Sequence, residues 1–204
     1  MSSVSRERRT LDVSMLPSYA FGPRGEIWWG TAGFMVIEGT MFVIVLISYF
    51  YLRLKVTDWP PSLPNPDVAI ASINLLVVFL SVIPAIFAKR AAEHFDLAKV
   101  QLWNVVLTLV GVITLVLRGF EYVSLSCLWD DNAYASVTWL LLSLHTIHVA
   151  TDVVDTGVLT TLMFTGPISE KRFVDVSENS LYWYFIVLWW VPIYLTVFWM
   201  PRWL

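Results

Sequence analysis

The chain has one cysteine, Cys127. A lone thiol excludes an internal disulfide framework and any cysteine-rich metal site. Charge is scarce as well. Asp, Glu, Lys and Arg make up 14% of the 204 residues, against about 25% in an ordinary soluble domain. A surface so poor in charge excludes a water-soluble enzyme as the default reading. The net charge of −3 is spread along the chain, so no basic footprint for nucleic acid is present. There is no phosphate loop, no dinucleotide fingerprint, no internal repeat and no low-complexity tract. What fills the sequence is apolar: 57% hydrophobic residues and a mean hydropathy of +0.68. Eleven Trp and eight Tyr accompany twelve Phe, and rings with a polar edge settle at membrane–water interfaces.

Five apolar runs lie at about 27–52, 68–88, 98–119, 134–164 and 181–200. Each can cross ~30 Å of hydrocarbon at ~1.5 Å per residue. Backbone in lipid must satisfy its own hydrogen bonds, so runs of this length predict helices rather than strands. The expected fold class is all-α, an integral membrane bundle of five transmembrane helices. A polar segment over 1–26 precedes a transmembrane domain over 27–204. That segment lacks an apolar h-region, so no cleavable signal peptide is expected. Trp59-Pro60-Pro61 and Pro64-Asn65-Pro66 forbid helix between the first two runs. Pro84 and Pro192 fall inside runs, where a kink is tolerable if neighbours satisfy the freed carbonyl. Nine of the thirteen Lys and Arg residues lie in the N-terminal segment and the second and fourth loops. The positive-inside rule then puts the N-terminus inside and the C-terminus outside, as five spans require.

Ionisable residues within such runs cost at least ~2.5–3.5 kcal/mol each, so each needs a partner or a purpose. Glu38 sits near the middle of the first run, nearly in line with Thr31 and Tyr49 at about 100° per residue. It is either a protonatable, lipid-facing carboxyl or, as favoured here, a neutral acid hydrogen-bonded inside the bundle. In the fourth run His145, His148, Asp152 and Asp155 follow i, i+3, i+7, i+10, which confines them to about 80° of one helical face. His and carboxylates can ligate a divalent metal. No second helix offers matching ligands, however, and two histidines on one helix cannot take opposite faces of a haem. The stripe therefore predicts a structural polar seam, with no haem or metal in this chain. Gln101, Asn104, Thr108 and Gly111 repeat the same spacing in the third run, with Arg118 beyond them. Small and polar stripes of this kind mediate close helix packing in lipid. Antiparallel pairing would bring Asn104 and Thr108 to the depth of Asp152 and His148.

Three stretches taken in order resemble subunit III of the haem–copper respiratory oxidases, the cytochrome c and quinol oxidase family. The first is Ile37-Glu38-Gly39-Thr40-Met41-Phe42 leading to Tyr49-Phe50-Tyr51-Leu52-Arg53, similar to the family's helix with a buried Glu before an aromatic run. The second is Arg118-Gly119-Phe120-Glu121-Tyr122, similar to Gln-x-x-Glu-Tyr/Trp. The third pairs His145-Thr146-Ile147-His148-Val149 with Glu178 and Tyr182-Trp183-Tyr184-Phe185. It resembles the family's His-Gly-x-His-Val and its late Glu before Tyr-Trp-His-Phe-Val-Asp. Arg118, Asp152, Tyr184 and Val187 depart from the family's Gln, Gly, His and Asp, as in a divergent branch. Five spans fit the short bacterial form.

The resemblance implies a non-redox subunit in a bacterial inner membrane that packs against subunit I (with subunit II). Subunit I would carry the haems and copper. The implied role is to stabilise subunit I, hold phospholipid in a cleft and support proton uptake during reduction of oxygen to water. Glu38, Glu121, His148 and Glu178 carry over as structural or lipid-cleft positions, none of them catalytic. Glu93, His94 and Asp96 in the second loop, with Glu170, Asp175 and Glu178 in the fourth, form either an ordinary solvated loop surface or a candidate proton antenna, which the resemblance favours, and an imidazole suits exchange near neutrality. Two other readings stay open. One is a subunit III-like accessory protein of a nitric oxide reductase. The other is a small transporter or membrane enzyme working through the His/Asp stripe.

Overall fold

The computed structural model describes residues 19–61 and 63–203, and these are helical with no strand among them. Most of the expected 1–26 segment, residues 1–18, lies outside the described residues. The helices are α1 (Glu26–Arg53), α2 (Val68–Leu80), α3 (Val82–Glu93), α4 (Leu97–Ser124), α5 (Ala133–Thr165), α6 (Glu170–Tyr194) and α7 (Met200–Trp203). Five spans long and apolar enough to cross a membrane result: α1, α2 with α3, α4, α5, and α6 with α7. The side on which α1 begins is called the near face below.

Local chemistry sets the ends. Asp67, Asp96 and Asn132 accept hydrogen bonds from the amides of Ala69, Lys99 and Ala135, each satisfying a donor that the first helical turn leaves free. The second span breaks at Ser81, three residues before Pro84, whose ring cannot coexist with a regular turn against the carbonyl four residues back. The break serves a purpose. Ser81 Oγ accepts a hydrogen bond from the indole of Trp183 at 2.8 Å and tethers this span to α6. Near the far face a π-helical turn, Leu195–Trp199, lies between Pro192 and Pro201, the two residues of this span that offer no amide.

The second to fifth spans form a compact bundle whose core includes Val78, Leu107, Leu141, Val149, Trp183, Ile186 and Trp190. Gly111 marks the closest approach. A Cβ there would lie 2.5 Å from a Val153 methyl and 3.2 Å from Trp183, so only glycine lets α4 reach α5 and α6. The first span is different. Among the spans α1 packs chiefly on α5 and α6, and Glu38, Phe42 and Tyr49 are its only buried side chains.

Two expectations need correction. The fifth span begins at Glu170 rather than near 181. Its polar first third is buried through Phe173, Val174, Val176 and Ser177. The register between the third and fourth spans also differs. Gln101 donates to the Met163 carbonyl at 2.8 Å, Thr108 meets Thr160 at 3.3 Å, and Tyr122 donates to Ser143 at 2.9 Å. Asn104 thus lies about two helical turns, ~12 Å, from the expected level of Asp152. The cause is the connection after α4, which climbs alongside the start of α5. Trp139 donates to the Cys127 carbonyl and Ser136 to that of Trp129.

Candidate functional site

The stripe on α5 divides between two polar clusters. His145 belongs to a closed one. There Arg118 of α4, 1% exposed, donates to Glu121 at 2.5 Å and to His145 Nδ1 at 3.1 Å, and its guanidinium lies 3.7 Å from the centre of the Trp190 ring. Asn74 of α2 donates to the other Glu121 oxygen at 2.7 Å. Arginine can only donate, so His145 Nδ1 accepts. The proton then resides on Nε2, 3.1 Å from the Ile186 carbonyl. Four helices are pinned by one buried ion pair and its neighbours.

His148, Asp152 and Asp155 face the other way, into a cleft of about 850 Å³ between α1, α5 and α6. Its walls are largely apolar, from Ile27, Phe34 and Met41 on one side to Ile147, Val158 and Leu162 on the other. Its polar groups rise from the near face. Asp175 stands five residues into α6 and Glu38 twelve residues into α1, or roughly 7 and 18 Å along the helices. Glu178, Asn179 and Tyr182 complete the α6 wall.

The hydrogen bonds at the deep end fix a proton. His148 Nδ1 lies 2.5 Å from the Leu144 carbonyl, which can only accept, so Nδ1 carries hydrogen. Nε2 lies 3.3 Å from Glu38 Oε1, while Glu38 Oε2 accepts from the Tyr182 hydroxyl at 2.5 Å. With no further proton, two acceptors would face each other. One proton must therefore lie between Glu38 and His148, giving either a neutral pair or an ion pair of zero net charge. Phe42, 4.9 Å from both the His148 and Trp189 rings, closes the cleft above them.

Lower down, acids outnumber their partners. With the Asn179 amide nitrogen facing α5, it donates to Asp155 at 3.0 Å and Asp152 at 3.3 Å, and its oxygen accepts from Thr156 at 2.8 Å. Asp152 Oδ2 and Glu178 Oε2 are buried without a hydrogen-bond partner, although a Gly22 backbone amide reaches the Glu178 carboxyl. Asp155, expected to be buried against the third span, is exposed within the cleft and bonded to α6.

The six antenna candidates do not form two loops. Glu93 ends α3, Glu170 begins α6, and Asp175 and Glu178 lie within α6, both lining the cleft. Only His94 and Asp96 occupy a turn. Hydrogen bonds from the Lys99 side chain and amide hold Asp96 below the ordinary aspartate range. Burial pushes the Cys127 thiol up, which leaves it poorly ionised. Among the described residues no group of three or more His, Cys, Asp or Glu side chains could hold a metal ion.

Reading the sequence for sites missed Asn179 and Tyr182. The signal existed: Asp175, Glu178, Asn179 and Tyr182 follow i, i+3, i+4, i+7 and make one face of a helix. Assigning Asp175 and Glu178 to a loop hid it.

No family model matches the chain. The chain is 24% identical over 193 residues to a protein named cytochrome c oxidase subunit 3 from Synechocystis, covering 92% of this chain and 83% of that one. A protein of the same name from Thermostichus vulcanus is 21% identical over 85% of this chain and 87% of its own. Another, from Bacillus sp. (strain PS3), is 26% identical over 79% of each. The chain is thus a divergent relative of the cytochrome c oxidase subunit 3 proteins, alike along most of both lengths.

Proposed function

We propose that this chain is the non-redox subunit III of a terminal haem–copper oxidase. The observation that carries the reading is the similarity to subunit 3 proteins along most of the chain, joined to a five-span bundle with a largely apolar cleft. In this role the compact part of the bundle packs against and stabilises subunit I, with subunit II in the same complex. The haems and copper belong to subunit I. The near face is cytoplasmic in a bacterial inner membrane, as the distribution of Lys and Arg supports. Acyl chains of phospholipid lie along the apolar walls of the cleft. Glu93, His94 and Glu170, exposed at the near face, gather protons for uptake by subunit I.

Affinity purification of the tagged chain from membranes tests the assignment. The expected complex contains haem and copper signals and consumes oxygen. A complex without copper that turns over nitric oxide would replace the reading with a reductase accessory protein, and a chain purified alone would overturn both. The antenna has its own test. Glu93→Gln, His94→Gln and Glu170→Gln together should slow turnover increasingly above neutral pH, with haem content unchanged. Unaltered rates across alkaline pH would leave the subunit a structural role.

A further inference from the structure

We propose that the cleft between α1, α5 and α6 binds an organic ammonium ion with an apolar substituent, its charge countered by Asp152 and Asp155. This deepens the lipid-cleft part of the reading above and rests on it.

The sign of the cleft comes first. Glu38, Asp152, Asp155, Asp175 and Glu178 line it, and none of the described residues lining it is Lys or Arg. Glu38 already shares a proton with His148 and accepts from Tyr182, so its charge is accounted for. Asp152 and Asp155 are not. The NH2 group of Asn179 gives one hydrogen to each, and a neutral amide cancels neither charge. Asp152 is 3% exposed and its Oδ2 has no partner. A buried carboxylate left so is strongly unfavourable unless a cation or proton joins it. The carboxyl torsion is broad, so either oxygen can be presented to the cleft.

The rest of the site says which cation. The described residues hold no metal-binding group, and a hard metal ion would gain nothing from apolar walls. An ammonium ion does. Phe34 and Tyr182 stack beside the acids, with ring centres 5.8 Å apart, and aromatic faces attract alkylammonium ions. Above and below, the walls of α1 and α5 are hydrocarbon, and about 850 Å³ accommodates a substituent of a dozen carbons or more. A ligand whose only head charge is an anionic phosphate would meet carboxylates and no Lys or Arg among the described lining residues.

The test uses the full-length chain in a neutral detergent, with dodecylammonium, dodecanol and dodecyl phosphate as probes read by native mass spectrometry. Dodecylammonium should bind at least tenfold more tightly than either of the others. Asp152→Asn with Asp155→Asn should remove that preference, while Asp67→Asn, at the start of α2, should not. Ile147→Trp keeps every charge but fills the cleft from an exposed position on its wall, and it should weaken binding of all three probes. Nanodiscs then separate the sources of the ammonium. Retention of phosphatidylethanolamine over phosphatidylglycerol identifies a lipid headgroup, and retention of the free amine alone identifies a soluble one. Equal binding of all three probes, or a preference that survives in the double variant, would overturn the inference and leave a lipid cleft intact. Failure of every probe to bind would remove the lipid-cleft reading as well.

Discussion

Arg118 and Asp152 are both ionisable, both almost fully buried and both surrounded by apolar helices, yet their neighbourhoods are opposites. Around Arg118 each charge meets its counterpart: Glu121 at 2.5 Å, with Asn74, His145 and the Trp190 ring on the remaining surfaces. Around Asp152 acids accumulate with only the Asn179 amide between them, and a cavity opens alongside. The same residue chemistry at similar burial therefore does two jobs. Where donors and acceptors balance, the cluster clamps helices. Where they do not, the imbalance sits beside empty volume, and the free energy left unsatisfied is available to a ligand.

The comparison can be broken most directly at Arg118. Arg118→Leu leaves Glu121 buried with one neutral partner and should lower stability by about 3–5 kcal/mol, measured as unfolding in detergent. Arg118→Leu with Glu121→Leu should recover most of it, because removing both charges removes the uncompensated one. A double variant as unstable as the single one would mean that the cluster acts through packing. In the open cluster, Asn179→Leu takes away the donor shared by two acids and should cost about 1–3 kcal/mol. Asp152→Leu should cost less, since it removes the acid whose Oδ2 has no partner. The reverse order would show Asp152 to be the satisfied member.

Smaller effects sharpen the picture. Glu38→Gln preserves an acceptor for Tyr182 and supplies a donor to His148 Nε2, so it should change stability by less than about 1 kcal/mol, whereas Glu38→Leu strands both partners at roughly 1–3 kcal/mol. Last comes Asp96, outside both clusters. Its acidity is increased by Lys99 in the folded state. That contribution is present above the ordinary aspartate range and is lost as pH falls through it and on through the lower folded value. Asp96→Asn should therefore flatten the acid limb of a stability–pH curve and leave the neutral region nearly unchanged. A steeper acid limb in the variant would contradict the direction.

Much of this was legible in the residues, and the failures have physical causes. Apolar length located all five spans, because no soluble alternative tolerates such runs. It could not locate the start of α6, where Phe173, Val174 and Val176 bury a helix whose other faces are polar. Hydropathy averages over faces; burial does not. The spacing of His145, His148, Asp152 and Asp155 revealed a stripe, but not that its members would turn to different partners. That depends on α1, which no local pattern ties to α5. The Asn104 pairing failed because a connection between antiparallel helices was taken to turn back at once, whereas this one climbs along α5 before the helix begins.

The slender attachment of α1 has an electrical consequence. Near its middle, α1 is tethered to α5 and α6 by the Glu38 carboxyl, shared between His148 and Tyr182. Whichever of Glu38 and His148 carries the intervening proton, the pair sums to zero charge. A bare carboxylate that crossed the whole membrane field would feel about 2.3 kcal/mol per 100 mV; a pair without net charge feels no net force. With the proton on Glu38 both members are neutral, and the helix that borders the cleft is then fastened by a joint on which a transmembrane voltage exerts no pull.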